Sequence, residues 1–417
     1  MAALRAGLLA LAALAMAWPL AVAAQQPAAA ANACLDCHSA MDAPLQVTAA
    51  QFAADIHAQK GLTCASCHGG DPSDAGNAMS PAKGFRGHLD RAKIVALCGS
   101  CHGDAAFMRQ YDPSLRTDQL AQYRTSVHGK KLAAGDTHVA ICTDCHGVHG
   151  ILPDSDTHST VNPVNVATTC KRCHADAAYM KSYKIPTDQY AGYTSSVHFA
   201  AMTERGDLSA PTCTTCHGNH GAAPPGVASV ANVCSTCHVF QAQLFDASPH
   251  KAAFDAAGFP GCVTCHSNHH IQKPGDSMVS TGAGSVCTNC HSEGDDGFKA
   301  AENIHGQIST LQERIADSKA VLQQAAHSGM EVGEAELQLA QADDALTKAR
   351  VAVHTFTPAK VQEDVTAGTA VAEKTREAGI AALRERDFRR KGLGLSLIAI
   401  LLVVAGFGLY IREIERK

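Results

Sequence analysis

The sequence has 417 residues, which is enough for more than one domain. Only 5% of the residues are aromatic, and large aliphatic side chains are sparse between residues 25 and 297. A formal net charge of −5 gives no indication of a nucleic-acid or polyanion partner. The composition therefore indicates a chain whose interior is filled largely by something other than its own side chains.

The first 24 residues have the pattern of a secretory signal peptide. Arg5 precedes the apolar run Ala6–Val22, and the small residues Ala21–Ala24 suit a signal peptidase. An N-terminal membrane anchor is the alternative interpretation. Cleavage would leave the mature chain outside the cytoplasm, where free thiols tend to oxidise.

All eighteen cysteines fall in nine CxxCH motifs. Two thiols three residues apart on a helical turn can form thioether bonds to one haem, and the adjacent histidine can then bind its iron. Zinc ribbons do not require that histidine, a disulfide framework has varied spacings, and a thioredoxin-like site would appear once. We therefore predict nine covalently bound c-type haems. The predicted thioether residues are Cys34, Cys37, Cys64, Cys67, Cys98, Cys101, Cys142, Cys145, Cys170, Cys173, Cys213, Cys216, Cys234, Cys237, Cys262, Cys265, Cys287 and Cys290. The predicted proximal iron ligands are His38, His68, His102, His146, His174, His217, His238, His266 and His291.

Fourteen histidines lie outside the motifs, and nine of them have positions that suit a second axial ligand. Some occur in short phrases such as SVH, and others stand three residues after a proximal histidine. Residues three apart share a helix face, so a histidine of CHxxH is expected to bind a neighbouring haem. A surface or propionate-binding role is the alternative for these. The predicted distal ligands are His57, His88, His128, His149, His198, His220, His250, His269 and His305, with His354 as the rival of His305 for the ninth iron.

The haem region is internally repetitive. DAAFMRQY at 104–111 matches DAAYMKSY at 176–183, and TDQLAQYRTSVH at 117–128 matches TDQYAGYTSSVH at 187–198. This order predicts four two-haem modules and a terminal haem, stacked along the chain. Glycine- and proline-rich links between motifs predict short helices and loops with almost no sheet.

This motif order, with its SVH phrases and CHxxH extensions, resembles the multihaem cytochromes c that include the cytochrome c554 and hydroxylamine oxidoreductase relatives. The resemblance covers roughly residues 30–360. It implies packed haem pairs in a nearly all-α fold, and those relatives carry a comparable C-terminal helical extension. It does not by itself distinguish an electron carrier from an enzyme.

After the haem region the apolar residues follow heptad spacing. They predict an antiparallel helical hairpin that turns at Gly329 and ends at Pro358. Leu393–Ile411 has nineteen residues without a charge, long enough to cross a bilayer as a helix. The predicted domains are a signal peptide at 1–24, a nonahaem domain at 25–297, the hairpin at 298–357, a juxtamembrane helical stalk at 358–391, a transmembrane helix at 392–411 and a cytoplasmic tail at 412–417.

The flanking charges conflict with the haem chemistry. The positive-inside rule would place the basic residues at 384–391 in the cytoplasm. Haem attachment follows export, however, so we predict an inner-membrane protein with its haem domain in the periplasm. The basic residues then lie at the outer headgroup surface.

The predicted fold is mostly α: short haem-bracketing helices in stacked two-haem modules, a C-terminal hairpin and one transmembrane helix. Two axial histidines close an iron to substrate. The predicted function is electron transfer through nine haems, between an inner-membrane quinol-oxidising subunit and periplasmic cytochromes or a terminal reductase. The alternative is a multihaem oxidoreductase that reduces nitrite, hydroxylamine or a sulfur oxyanion at one open haem. No catalytic residue is assigned.

Overall fold

The computed structural model describes residues 32–224 and 226–416, and the predicted signal peptide lies outside them. Within these ranges the chain forms helices, turns and loops, with no strand, which confirms the mostly α fold class. The α-helices are α1 Ala33–His38, α2 Ala49–Ala54, α3 Ile56–Gln59, α4 Cys64–His68, α5 Arg91–His102, α6 Ala105–Met108, α7 Gln119–Thr125, α8 Val127–Ala133, α9 Cys142–His146, α10 Pro163–His174, α11 Ala177–Met180, α12 Gln189–Thr194, α13 Val197–Arg205, α14 Cys213–His217, α15 Val239–Asp246, α16 Pro249–Ala257, α17 Gly261–His266, α18 Asp296–His327, α19 Gly333–Ala352 and α20 Pro358–Ile414. Short 3₁₀ helices occur at Pro81–Lys83, Lys181–Tyr183, Val230–Thr236, Asp276–Val279, Cys287–Asn289 and Val353–Thr355.

The described residues fall into two compact units. The first unit contains the residues up to Leu120 together with Lys131–Thr160, and the second contains Ala121–Lys130 and Val161–Lys417. The first four CxxCH motifs lie in the first unit and the last five in the second.

Seven of the CxxCH motifs occupy short helices that end at the motif histidine. At the second motif, the Thr63 N–H donates to Ser66 Oγ at 3.0 Å and so fixes the start of the helix. The residue after the histidine often has a positive φ, which glycine adopts readily and which ends the helix. Such glycines are Gly69, Gly147 and Gly218, with φ of 69°, 82° and 78°.

Buried apolar side chains are few and scattered in the motif-bearing part of the described chain. A small cluster is formed by Ala201, Met202 and Ala210. Met108 and Met180, at equivalent positions of the sequence repeat, are 7% and 5% exposed and therefore pack in the interior. The side chains of this part do not build an extended core, as the composition indicates.

The predicted hairpin is present and belongs to a three-helix bundle. Helices α18 and α19 are joined by a turn in which Gly329 has a φ of 80°. The interior of the bundle is continuous, and its fully buried side chains include Ile308, Leu311, Leu322 and Val361. This is the main apolar core of the described residues.

Most of the segment predicted as a stalk is the third helix of this bundle. Helix α20 buries small residues at alternating spacings of four and three, namely Val361, Val365, Gly368, Ala372, Thr375 and Gly379. A Cβ at Gly368 would lie 2.9 Å from the Ala345 Cβ, so glycine permits the close approach of α19 and α20. Ser318 and Thr375 are hydrogen-bonded in the interior, with 2.8 Å between their hydroxyl oxygens. The sequence interpretation overlooked this face because its members are small.

Helix α20 continues without a break into the apolar segment Leu393–Ile411. That segment is long and apolar enough to cross a membrane, and its large side chains are exposed. Near the start of the segment, Arg386 Nη1 donates to Ser328 Oγ at 3.1 Å. The hairpin turn therefore lies beside the basic residues that precede the apolar segment.

Candidate haem-binding sites

Seven of the nine motif histidines face a second histidine from another segment of the same unit. The centroids of the facing rings are 5.9–6.3 Å apart. The facing pairs, motif histidine first, are His68 and His149, His102 and His57, His174 and His128, His217 and His269, His238 and His198, His266 and His354, and His291 and His250.

This spacing fits an iron ion between the two rings. A metal–imidazole bond is about 2.1 Å long and the ring centre lies about 1.1 Å beyond the nitrogen, so two rings on one iron have centres about 6.4 Å apart. Neutral imidazole is the form that binds metals. Burial is the largest cause that lowers the pKa of eight of these histidines and so favours the neutral form. They are His68, His149, His174, His198, His217, His250, His266 and His269.

The motif cysteines approach each other in a regular alternation along the chain. Within each predicted two-haem module the first cysteines of the two motifs are close enough for one thiol to shift the pKa of the other, as in Cys34–Cys64, Cys98–Cys142, Cys170–Cys213 and Cys234–Cys262. Between modules the second cysteines are electrostatic neighbours, as in Cys67–Cys101, Cys216–Cys237 and Cys265–Cys290. Thioether bonds to haem would replace these thiols, so the contacts report how close consecutive attachment points lie.

The two units contain the same local arrangement. In the first, the Ile56 N–H donates to the Ile151 carbonyl at 2.8 Å. In the second, the Val197 N–H donates to the Ile271 carbonyl, also at 2.8 Å. Each bond joins an SVH-type phrase to the segment after a CHxxH motif. The histidine pairs around the first bond are His57–His102 and His149–His68, and those around the second are His198–His238 and His269–His217.

His305 and His354, the two histidines near the bundle, have surroundings that differ from those expected. The ninth motif histidine, His291, faces His250 and not His305. His305 instead directs its Nδ1 to the Asp276 carbonyl at 3.1 Å. His354 faces His266 of the eighth motif. The geometry thus favours His354 over His305 as an axial ligand, and it does so at the eighth motif and not at the ninth. The 3₁₀ turn at the end of α19 brings the His354 ring to this position.

His38, His88 and His220 are three further predicted ligands. His38 Nδ1 lies 2.9 Å from the Leu45 carbonyl. His88 is exposed in the loop before α5. The backbone N–H of His220 donates to Asn219 Oδ1 at 2.9 Å. All of the ligand assignments, including those of His88, His220 and the fourth motif histidine His146, remain predictions.

Sequence reasoning missed one aromatic contact at these sites. The Phe356 ring lies 3.8 Å from the His250 ring, between centroids, and also contacts Phe245. Phe356 stands in the short connection between α19 and α20 with a φ of 53°. The heptad pattern predicts that this phenylalanine packs in the core of the hairpin. Its contact with His250 arises only because the chain folds so that the connection between α19 and α20 lies against α15 and α16.

Comparisons with known proteins point to the same chemistry. The cytochrome c3 family matches residues 56–175. The chain is 28% identical over 181 residues to the multiheme cytochrome MtrA of Shewanella baltica (strain OS185), which is 35% of this chain and 53% of that protein. It is 26% identical over 123 residues to the C-type polyheme cytochrome OmcC of Geobacter sulfurreducens, which is 29% of this chain and 15% of that protein.

The matched region of this chain thus spans about half the length of the first relative and a smaller part of the second. No solved structure gives a significant match. The described motifs and the comparisons together support covalently bound c-type haems. The chain is similar to multihaem c-type cytochromes.

Proposed function

We propose that the protein transfers electrons through nine c-type haems, each held by two axial histidines. The observation that carries the proposal is the facing of seven motif histidines by a second histidine at iron-bridging distance. An iron closed on both sides can change its oxidation state without binding a substrate. The proposed distal set is His57, His88, His128, His149, His198, His220, His250, His269 and His354.

The alternating cysteine contacts support conduction along each unit. These contacts join motifs that follow one another in the sequence, so haems at consecutive motifs would stand side by side. Electrons can then pass from one haem to the next in motif order. The sulfur contacts of the second unit run from the fifth motif to the ninth.

The bundle constrains the membrane partner. We propose that residues 392–411 cross the inner membrane with the haem region in the periplasm. From Pro358 to Gly392, α20 is about 50 Å long at 1.5 Å per residue, and His250 lies beside Phe356 just before its start. A quinol-oxidising partner that reduces the eighth or ninth haem would therefore need a redox centre well above the bilayer. Periplasmic cytochromes or a terminal reductase are the proposed acceptors.

The proposal is tested by haem counting and by electron paramagnetic resonance (EPR). We expect the mass of the mature chain to include nine haems and the oxidised protein to show low-spin ferric signals alone. Closed axial positions give low-spin iron, whereas an open site gives a high-spin signal. A high-spin haem in the intact protein would favour the alternative, an oxidoreductase with one open site.

A second experiment separates the two histidines near the bundle. Substitution His354→Ala is expected to convert one haem of the nine from low-spin to high-spin, because the ring opposite His266 is lost. The reduced variant should also bind carbon monoxide at that haem. His305→Ala is the matched control, since His305 bonds to a backbone carbonyl, and it should leave all signals low-spin. The opposite outcome would return the ligand role to His305.

A further inference from the structure

The residue two positions before the distal candidate differs between the repeated sites. Before His128, His198 and His250 it is a buried serine, namely Ser126, Ser196 and Ser248. Before His57 it is Asp55, 8% exposed. Among the residues that the structure describes, Asp55 is the only buried aspartate or glutamate.

Asp55 contacts the imidazole itself. Its Oδ1 accepts a hydrogen bond from the His57 N–H at 2.8 Å and lies 3.0 Å from His57 Nδ1. Its Oδ2 accepts from the Ile151 N–H at 2.9 Å. With Nε2 bound to iron, Nδ1 would carry the ring proton and would donate a hydrogen bond to this carboxylate. Asp55 thereby couples the ring of His57 to the backbone link described above.

The serines bond to the helix backbone instead. Ser196 Oγ accepts from the Phe199 N–H at 3.2 Å, which is an ordinary helix cap. Ser126 Oγ accepts from the Gly129 N–H at 3.0 Å in the same way. At His354 the Nδ1 lies 2.9 Å from a neutral acceptor, the Val351 carbonyl.

A carboxylate at Nδ1 gives the imidazole imidazolate character and makes it a stronger donor to iron. A buried negative charge also stabilises ferric over ferrous haem, since the ferric centre carries one more positive charge. Both effects lower the reduction potential. Asp295 lies 3.3 Å from His291 Nδ1, but its side chain is 42% exposed, against 11% for the side chain of Asp55, so water screens the charge of Asp295 more strongly.

We propose that Asp55 sets a low reduction potential at the haem of Cys98, Cys101 and His102, relative to its repeat counterpart at Cys234, Cys237 and His238. The proposal rests on the function proposed above, because it needs His57 and His102 as axial ligands. Asp55 acts through His57 and is a positioning residue.

The two haems can be followed separately by EPR. The rings of His57 and His102 cross at 87°, whereas those of His198 and His238 are inclined by 39°. Nearly perpendicular imidazole planes leave two iron d orbitals almost degenerate and give a highly anisotropic low-spin signal. More nearly parallel planes give a rhombic signal. Among the seven facing pairs, His250 and His291, whose rings cross at 72°, form a second anisotropic candidate, and the variants below distinguish it.

The test is an EPR-monitored redox titration of the full haem-bearing protein. Asp55→Asn keeps the side-chain shape and removes the charge. We expect a roughly tenfold shift of the ferric–ferrous equilibrium of one anisotropic signal, which raises its midpoint by about 59 mV for a one-electron couple. Ser196→Asp should lower the midpoint of one rhombic signal. Asp104→Asn is the control, because Asp104 is exposed and caps α6, a role that asparagine also fills. It should change no midpoint measurably.

An unchanged midpoint in Asp55→Asn, with all haems low-spin, overturns the proposal. If Asp55→Asn instead loses the His57 ligand and one haem becomes high-spin, the Ser196→Asp variant provides the test. An unshifted midpoint in Ser196→Asp then overturns the proposal. Failure of the proposed function looks different. It appears in the unmodified protein, as a high-spin signal or a haem count other than nine.

Discussion

Chain produced without haem attachment is expected to keep the three-helix bundle and to lose ordered structure in residues 32–290. The bundle has a continuous apolar core that includes Leu311, Leu322 and Val361, which are at most 1% exposed. The motif-bearing part has scattered buried side chains, and its short helices are far below the length at which isolated helices persist. Without haem, little apolar burial offsets the entropy of ordering this part.

Amide hydrogen exchange of the full chain, made with and without the haem-attachment machinery, measures this directly. Amides of α18, α19 and the first half of α20 should stay protected in both samples. Amides of the CxxCH helices α4, α9 and α14 should exchange freely in the haem-free chain and slowly in the mature protein. Native-like protection of those helices without haem would contradict the expectation.

Substitution Leu311→Ala is expected to destabilise the bundle by about 2–5 kcal/mol while leaving the haem spectra unchanged. Leu311 is 0% exposed. It packs where Gly368 brings α20 close, and a Cβ on Gly368 would lie 2.9 Å from Leu311 Cδ1. The surrounding helices are held at this distance, so the lost methyl groups leave a cavity that cannot collapse fully.

The measurement is again amide exchange, now of bundle amides in the mature protein. A loss of 2 kcal/mol accelerates exchange through bundle opening by roughly 25-fold or more. Leu337→Ala is the matched control on the same bundle, since Leu337 is 78% exposed and should change stability by less than about 0.5 kcal/mol. Equal effects of the two substitutions, or a change in the haem spectra with Leu311→Ala, would refute the assignment of an independent core.

The local chemistry of the haem sites could be predicted from the order of the residues. Two cysteines and a histidine within five positions fit on one helical turn, and seven of the nine motifs form such a turn, for example Cys64–His68. The mostly α fold class follows from the same spacing and from the glycine-rich links. The apolar run near the C-terminus is likewise visible in the sequence, because membrane-spanning length is a property of consecutive residues.

For seven motif histidines, the facing histidine was decided by tertiary structure. His149 meets His68 across 81 positions of sequence, and His354 meets His266 across 88. Counting histidines could not choose between His305 and His354, since both stand at one end of the bundle. The choice depends on how the end of α19 turns and on the bond between His305 Nδ1 and the Asp276 carbonyl.

Sequence alone therefore predicted which residues would bind a haem covalently, because that chemistry depends on neighbours a few positions apart. Tertiary structure decided which histidine lies opposite, that α20 completes a bundle, and that Asp55 is buried against the His57 ring. Small residues such as Gly368 carry little hydrophobic signal, yet they set how closely helices approach. Contacts of this kind join residues far apart in the chain, so they exist only once it has folded.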